Sequence, residues 1–171
     1  MNRVLVIASN RWTRLVLVAL GLLGLQTTLL SQLRPFGVML PVMLLFTVTA
    51  GTVHGSEVGA ITGLVVGAMY DCVLTTPFGL ASLVIGSAGY ASGLLPFFVR
   101  EPTWWSRALV VAVASAFGEV MFPVAQWMVG LDGWLHPHVL WIAFVVALLN
   151  GMLAPLFVPL SRWTLHEQVR T

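Results

Sequence analysis

Charge is what this sequence most lacks. Only 8% of its 171 residues are Asp, Glu, Lys or Arg, while 58% are hydrophobic. A soluble domain carries roughly a quarter charged residues, because its surface has to be solvated. Lysine is missing altogether. The eight basic residues are all arginines, spread singly along the chain, so the pI near 9.3 does not describe a nucleic-acid-binding patch. Cysteine is reduced to Cys72, which excludes an intrachain disulfide framework and a cysteine-based metal cluster. There is no phosphate loop, no HExxH and no acid–base pair with a plausible substrate channel. Gly86-Ser87-Ala88-Gly89 is not a nucleophile elbow, since the serine is misplaced and no base accompanies it. His136-Pro137-His138 has only Asp132 nearby, short of the roughly three or four ligands a zinc site needs. The expectation is therefore a non-enzyme without cofactor or metal and without a nucleic-acid partner.

What the sequence does have is long apolar runs. One membrane-spanning helix takes about 20 residues, so six with short connections use nearly the whole length. The reading is all-α: a single transmembrane domain over 1–171, a six-helix bundle with helices at about 13–33, 36–53, 57–76, 79–99, 107–129 and 138–160. Arg34-Pro35, Thr76-Pro77, Arg100-Glu101-Pro102 and Leu131-Asp132-Gly133 punctuate the breaks. The boundary between the second and third helices runs through Gly51, His54, Gly55 and Glu57, and five helices with a bent segment there is the fallback. Arg11 and Arg14 follow a short apolar stretch from Val4 to Ala8, and no small-residue cleavage site follows the first long run, so the N-terminal segment is expected to be retained.

Basic residues favour the cytoplasmic side. With both termini inside, Arg3, Arg11, Arg14, Arg100, Arg107, Arg162 and Arg170 are all cytoplasmic and only Arg34 is outside. Tryptophans favour the membrane interfaces. Trp12, Trp104, Trp105 and Trp163 then mark the inner boundary, and Trp127, Trp134 and Trp141 the outer one.

Helices associate in lipid through small residues and interhelical hydrogen bonds, so stripes of such residues predict the inward faces. They are Gly21, Gly24, Thr28 and Ser31 on the first helix, and Ser82, Gly86, Gly89 and Gly93 on the fourth. The fifth carries Ala108, Ala112, Ser115 and Glu119, with Gln126 two turns on. The sixth carries Ala143, Ala147, Asn150 and Ala154. In the third region Gly51, Gly55, Gly59, Gly63 and Gly67 recur every fourth residue, and Asp71 takes the next step. Gly63, Gly67 and Asp71 share one broad face.

An ionised carboxylate at mid-bilayer costs about 2.5–3.5 kcal/mol, so intramembrane acids face protein or water. Glu119 lies about 18 Å along its helix from Arg107, near the midplane, as does Asn150. Three readings stand for Glu119. It belongs to a structural cluster with Asn150, Gln126 or Ser115, or it meets a ligand or partner in a groove, or it serves a proton or ion path. Asp71 is expected to pair with Arg34 at the outer end of the bundle.

The stretch Gly59-Ala-Ile-Thr-Gly63-Leu-Val-Val-Gly67-Ala-Met-Tyr-Asp71-Cys-Val-Leu-Thr-Thr-Pro77-Phe-Gly79-Leu resembles the signature of the rod shape-determining protein MreD family. Arg34-Pro35 and Asn150-Gly-Met-Leu-Ala-Pro155 agree with it, as do length and span number. The resemblance implies a scaffold of the cell-wall elongation machinery in the bacterial cytoplasmic (inner) membrane. Its implied partners are a single-span MreC-like protein and the RodA–penicillin-binding protein synthase, with MreB reached indirectly. It also implies that Asp71, Pro77 and Gly79 shape the turn between the third and fourth helices. The alternative is similar in size and span number: a substrate-binding subunit of an energy-coupling-factor vitamin transporter, with an outward cavity that Asp71, Arg34, Trp134 and His136 could line.

Overall fold

The computed structural model describes residues 10–32, 37–74, 77–94, 103–131 and 137–166. Among them the chain is all-α, with six helices. They are α1 (Arg11–Gln32), α2 (Val42–His54), α3 (Ser56–Asp71), α4 (Leu80–Ser92), α5 (Trp104–Met128) and α6 (Pro137–Leu165). Within the last two, Trp104–Met128 and His138–Leu165 are each long and apolar enough to cross a membrane.

The elements differ in length for physical reasons. At about 1.5 Å per residue, α5 and α6 extend for about 38 and 44 Å, but α2 and α4 for only about 20 Å. The second helix begins at Val42, later than the expected start near 36: residues 38–41 form no helix, and the chain enters it through a tight turn at Pro41, where the Val42 N–H donates to the Leu40 carbonyl at 3.1 Å. The third ends at Asp71, short of 76, in a turn through Cys72 and Val73 that closes onto the Tyr70 carbonyl. Only Gly55 separates α2 from α3, and it adopts φ +94°. That is a conformation for which L-residues with a side chain are strained. Two helices with a tight turn, and not one bent segment, therefore occupy the boundary.

The core is built around α2. Every residue from Val42 to Thr52 is buried, and the helix touches each of the other five. A helix that is apolar all round belongs in an interior. Glycines bring its neighbours close. A β-carbon added at Gly63 would lie 2.7 Å from Gly86 Cα, and one at Gly67 would fall on the Ser82 backbone. Gly59 likewise abuts Gly89, and Gly93 abuts Ser56. Helices α3 and α4 thus run antiparallel with backbones in contact, which only residues without side chains permit. Gly51 of α2 enters the same junction against Gly89 and Ser92.

The expected inward stripes hold on α4, where Ser82, Gly86, Gly89 and Gly93 are buried. On α1 the expectation fails. Gly21, Gly24 and Thr28 are exposed, and a β-carbon at either glycine would meet nothing; the side chain of Ser31 lies outside the described set. The buried face of α1 is Leu15, Ala19, Leu22 and Gln26.

At the base of the bundle, where α1 starts and α6 stops, Arg14 Nη1 donates to the Trp163 carbonyl at 3.1 Å and its guanidinium lies over the Trp163 ring. His54 Nε2 lies 3.2 Å from the Ser161 carbonyl. The outside of the bundle is apolar. Leu140, Phe144, Leu148, Met152 and Leu156 make a continuous exposed stripe along α6, each between 55% and 73% exposed. Leu109, Val113 and Phe117 do the same on α5, and Val16, Leu17 and Leu20 on α1.

Candidate functional site

Because α2 is short and starts deep, the far end of the bundle is not filled. A cavity of about 430 Å³ lies there, between the start of α2 and the upper parts of α5 and α6. Its walls are mainly apolar, with Met39, Met43, Leu44, Ile85, Phe122 and Ile142 among them. Four polar side chains converge on it: Gln26 from α1, Tyr70 from α3, and Glu119 and Gln126 from α5.

These four are held differently. Gln26 is 2% exposed, and its Oε1 accepts the Met43 backbone N–H at 3.1 Å. That N–H belongs to the first turn of α2, where no helical carbonyl can reach it. Tyr70, partly buried, stands on the same wall. Glu119 is the exception. Among the described residues, no group hydrogen-bonds its carboxyl, although it stands in the same cavity as Gln126. Pro123 sits in α5 four residues on, and a proline has no N–H to give the carbonyl one turn back. The Glu119 backbone carbonyl thereby loses its usual helical partner. The arrangement offers one acid, two carboxamides and a phenol on an apolar wall. The described lining contains no Ser, Thr, Cys or His side chain, so it provides hydrogen bonds and a single charge for holding a polar group.

Glu119 does not join Asn150 and Ser115. Asn150 is fully buried, and its Nδ2 donates to Ser115 Oγ at 2.9 Å. This hydrogen bond ties α6 to α5, and Asn150 Oδ1 has no partner among the described residues. The structural cluster, one of the three readings of Glu119, is thus not formed with Asn150 or Ser115: Glu119 and Gln126 line the cavity, and Asn150 and Ser115 lie between the helices.

Asp71 closes the glycine ladder. Its Oδ2 accepts the backbone N–H of Gly79 and of Ser82, and the Ser82 hydroxyl, each at 3.0 Å. Its Oδ1 accepts the Ala81 N–H at 2.9 Å. A carboxylate on these orphan donors caps α4 from outside, where the helix dipole also favours negative charge. Gly79 itself adopts φ +101° and directs the chain into α4. Pro77 is exposed, two residues ahead. Gly63 and Gly67 carry the contact with α4 and do not line the cavity. Arg34 and Pro35 lie outside the described residues, so the pair expected between Arg34 and Asp71 has only its Asp71 half described. Trp134 and His136 lie outside them too, and Asp71 is not part of the cavity wall. Among the described residues, no group of His, Cys, Asp and Glu could hold a metal ion.

Sequence reasoning missed Gln26 and Tyr70. The one available signal was a lone glutamine deep within an apolar run. No family model matches the chain, and no curated protein or solved structure matches it either.

Proposed function

We propose that the chain is an integral membrane bundle that works as a non-enzymatic scaffold, of the kind the MreD-like stretch implies, in the cytoplasmic membrane of a bacterium. The observation that carries the membrane half is the exposed apolar surface. Monomeric soluble proteins rarely expose contiguous apolar patches beyond a few hundred Å². Here one stripe runs from Leu140 to Leu156 on α6, and shorter ones lie on α1 and α5. The tryptophans support the same reading. Trp104 and Trp127 on α5 are about 34 Å apart, and Trp141 and Trp163 on α6 about 33 Å. All four are more than half exposed, and the spacing suits the two interfaces of a hydrocarbon layer about 30 Å thick.

The scaffold half rests on the resemblance and on how its residues are used. Gly63, Gly67, Asp71 and Gly79 are consumed in holding α3 to α4. Lateral helix faces are then the main surface left for partners, which are an MreC-like single-span protein and, through it, the RodA–penicillin-binding protein synthase and MreB.

The far cavity, with four polar side chains on a mainly apolar wall, favours a second reading, a ligand-binding subunit of a vitamin transporter. Affinity purification of the tagged chain from native membranes in mild detergent, with mass spectrometry of what accompanies it, separates the two. A single-span coiled-coil envelope protein together with wall synthases is the expected result. ATPase subunits, a transmembrane coupling protein and a bound small molecule would overturn the scaffold in favour of uptake.

A further inference from the structure

A second cavity, of about 310 Å³, opens at the base between α5 and α6. It is lined by Trp104, Arg107, Ala154, Pro155, Val158 and Arg162. Two features single it out. First, two arginines from different helices converge on it, near enough to repel one another. Neither has a hydrogen bond or ion pair to an acidic group among the described residues. Second, the Arg107 Nε is buried, although the side chain is partly exposed, and it has no hydrogen-bond partner among the described residues. A buried N–H left unsatisfied is costly, and a second like charge beside the guanidinium adds to the cost. An anion between the two guanidinium groups removes both penalties, and a phosphate matches their planar forks of N–H donors.

We propose that this pocket binds the phosphodiester headgroup of an anionic phospholipid. The inference rests on the membrane reading given above. The surroundings favour a lipid over a free anion. Trp104, Trp105 and Trp163 are exposed at this level, as befits the headgroup region. Leu109 and Met152, toward the middle of the same two helices, are exposed and apolar, and suited to acyl chains. Basic pockets between helices on the cytoplasmic side take anionic headgroups. The effect is to clamp α5 to α6 at the base, as Asn150 and Ser115 do nearer the middle.

The test uses the full chain purified in mild detergent, with native mass spectrometry during titration with phosphatidylglycerol or phosphatidylcholine. Phosphatidylglycerol should bind in preference. Arg162→Gln, at an exposed position, should weaken that preference roughly fivefold, as expected for one arginine near an anionic surface. Arg11→Gln, which removes the same charge elsewhere at the base, should leave it intact. An unchanged preference in Arg162→Gln, or an equal loss in Arg11→Gln, would overturn the site. Inorganic phosphate that displaces phosphatidylglycerol at millimolar concentration would assign the pocket to a free anion and overturn the lipid. A chain recovered in the soluble fraction without detergent would overturn the membrane reading itself.

Discussion

Asp71 and Gln26 do the same job at two places. Each is a polar side chain on one helix that accepts backbone N–H groups at the start of the next short one: Gln26 for α2, Asp71 for α4. A helix that begins below the surface of an apolar bundle cannot use water for its first-turn donors, so a side chain has to supply the acceptor. Local caps are visible in sequence because they lie within about three residues of the helix start. These two reach across 17 and 8–11 residues, which is why Asp71 could be noticed as important but not read as a cap, and why Gln26 went unnoticed. Glu119 was noticed as a buried acid near mid-helix. The company it keeps came only from the fold, because Gln26 and Tyr70 are brought to it by other helices. Replacing Asp71 by Asn removes one carboxylate oxygen and sets an NH2 group against a backbone donor. That change should cost about 1.5–3 kcal/mol, and Asp71→Ala more. Thermal unfolding in detergent measures it, and wild-type stability in Asp71→Ala would remove the capping role.

At the scale of elements, the glycine ladder was the most legible feature. Five glycines at a four-residue period announced close packing, and four of them meet α4 or its neighbours at backbone distance. The stripe on α1 shows the limit of that reasoning. Small residues permit a close approach but do not compel one, and Gly21 and Gly24 face open space. The decision fell to Leu15, Ala19, Leu22 and Gln26, whose spacing is as helical as that of the glycines. The two kinds of glycine should respond oppositely to the same change. Gly67→Ala forces the Ser82 backbone away and should cost about 1–3 kcal/mol or more. Gly21→Ala adds helix propensity without a clash and should gain about 0.5–1 kcal/mol. Equal responses in a thermal-stability assay by size-exclusion chromatography would mean that the α3–α4 contact is looser than described.

At the scale of the whole molecule, helix lengths explain the architecture. The long α5 and α6, with the 22-residue α1, carry the exposed apolar stripes. The short α2 is set inside, α4 exposes one face through Leu83 and Tyr90, and the far cavity lies beyond the start of α2. Composition and apolar runs were enough to read an all-helical chain of six helices. They could not reveal that α2, α3 and α4, at 13, 16 and 13 residues, are shorter than the roughly 20 a span takes, because an apolar run does not show where the helix within it starts and stops. Nor could they place the arginine pocket, since Arg107 and Arg162 are 55 residues apart in sequence and meet only because α5 and α6 run antiparallel. The scaffold, the lipid site and an outward-facing cavity all depend on one arrangement, with the base, where the described chain starts and stops, on the cytoplasmic side and the far end outside. Cysteine labelling in intact cells tests it. In a Cys72→Ser background, Leu131→Cys lies beyond Trp127 at the far end, and His166→Cys lies at the base; both positions are exposed. The account predicts that a membrane-impermeant maleimide, given access through a permeabilised outer envelope, labels Leu131→Cys at once and His166→Cys only after the inner membrane is opened. Immediate labelling of His166→Cys, or labelling of neither until the inner membrane is opened, would contradict it.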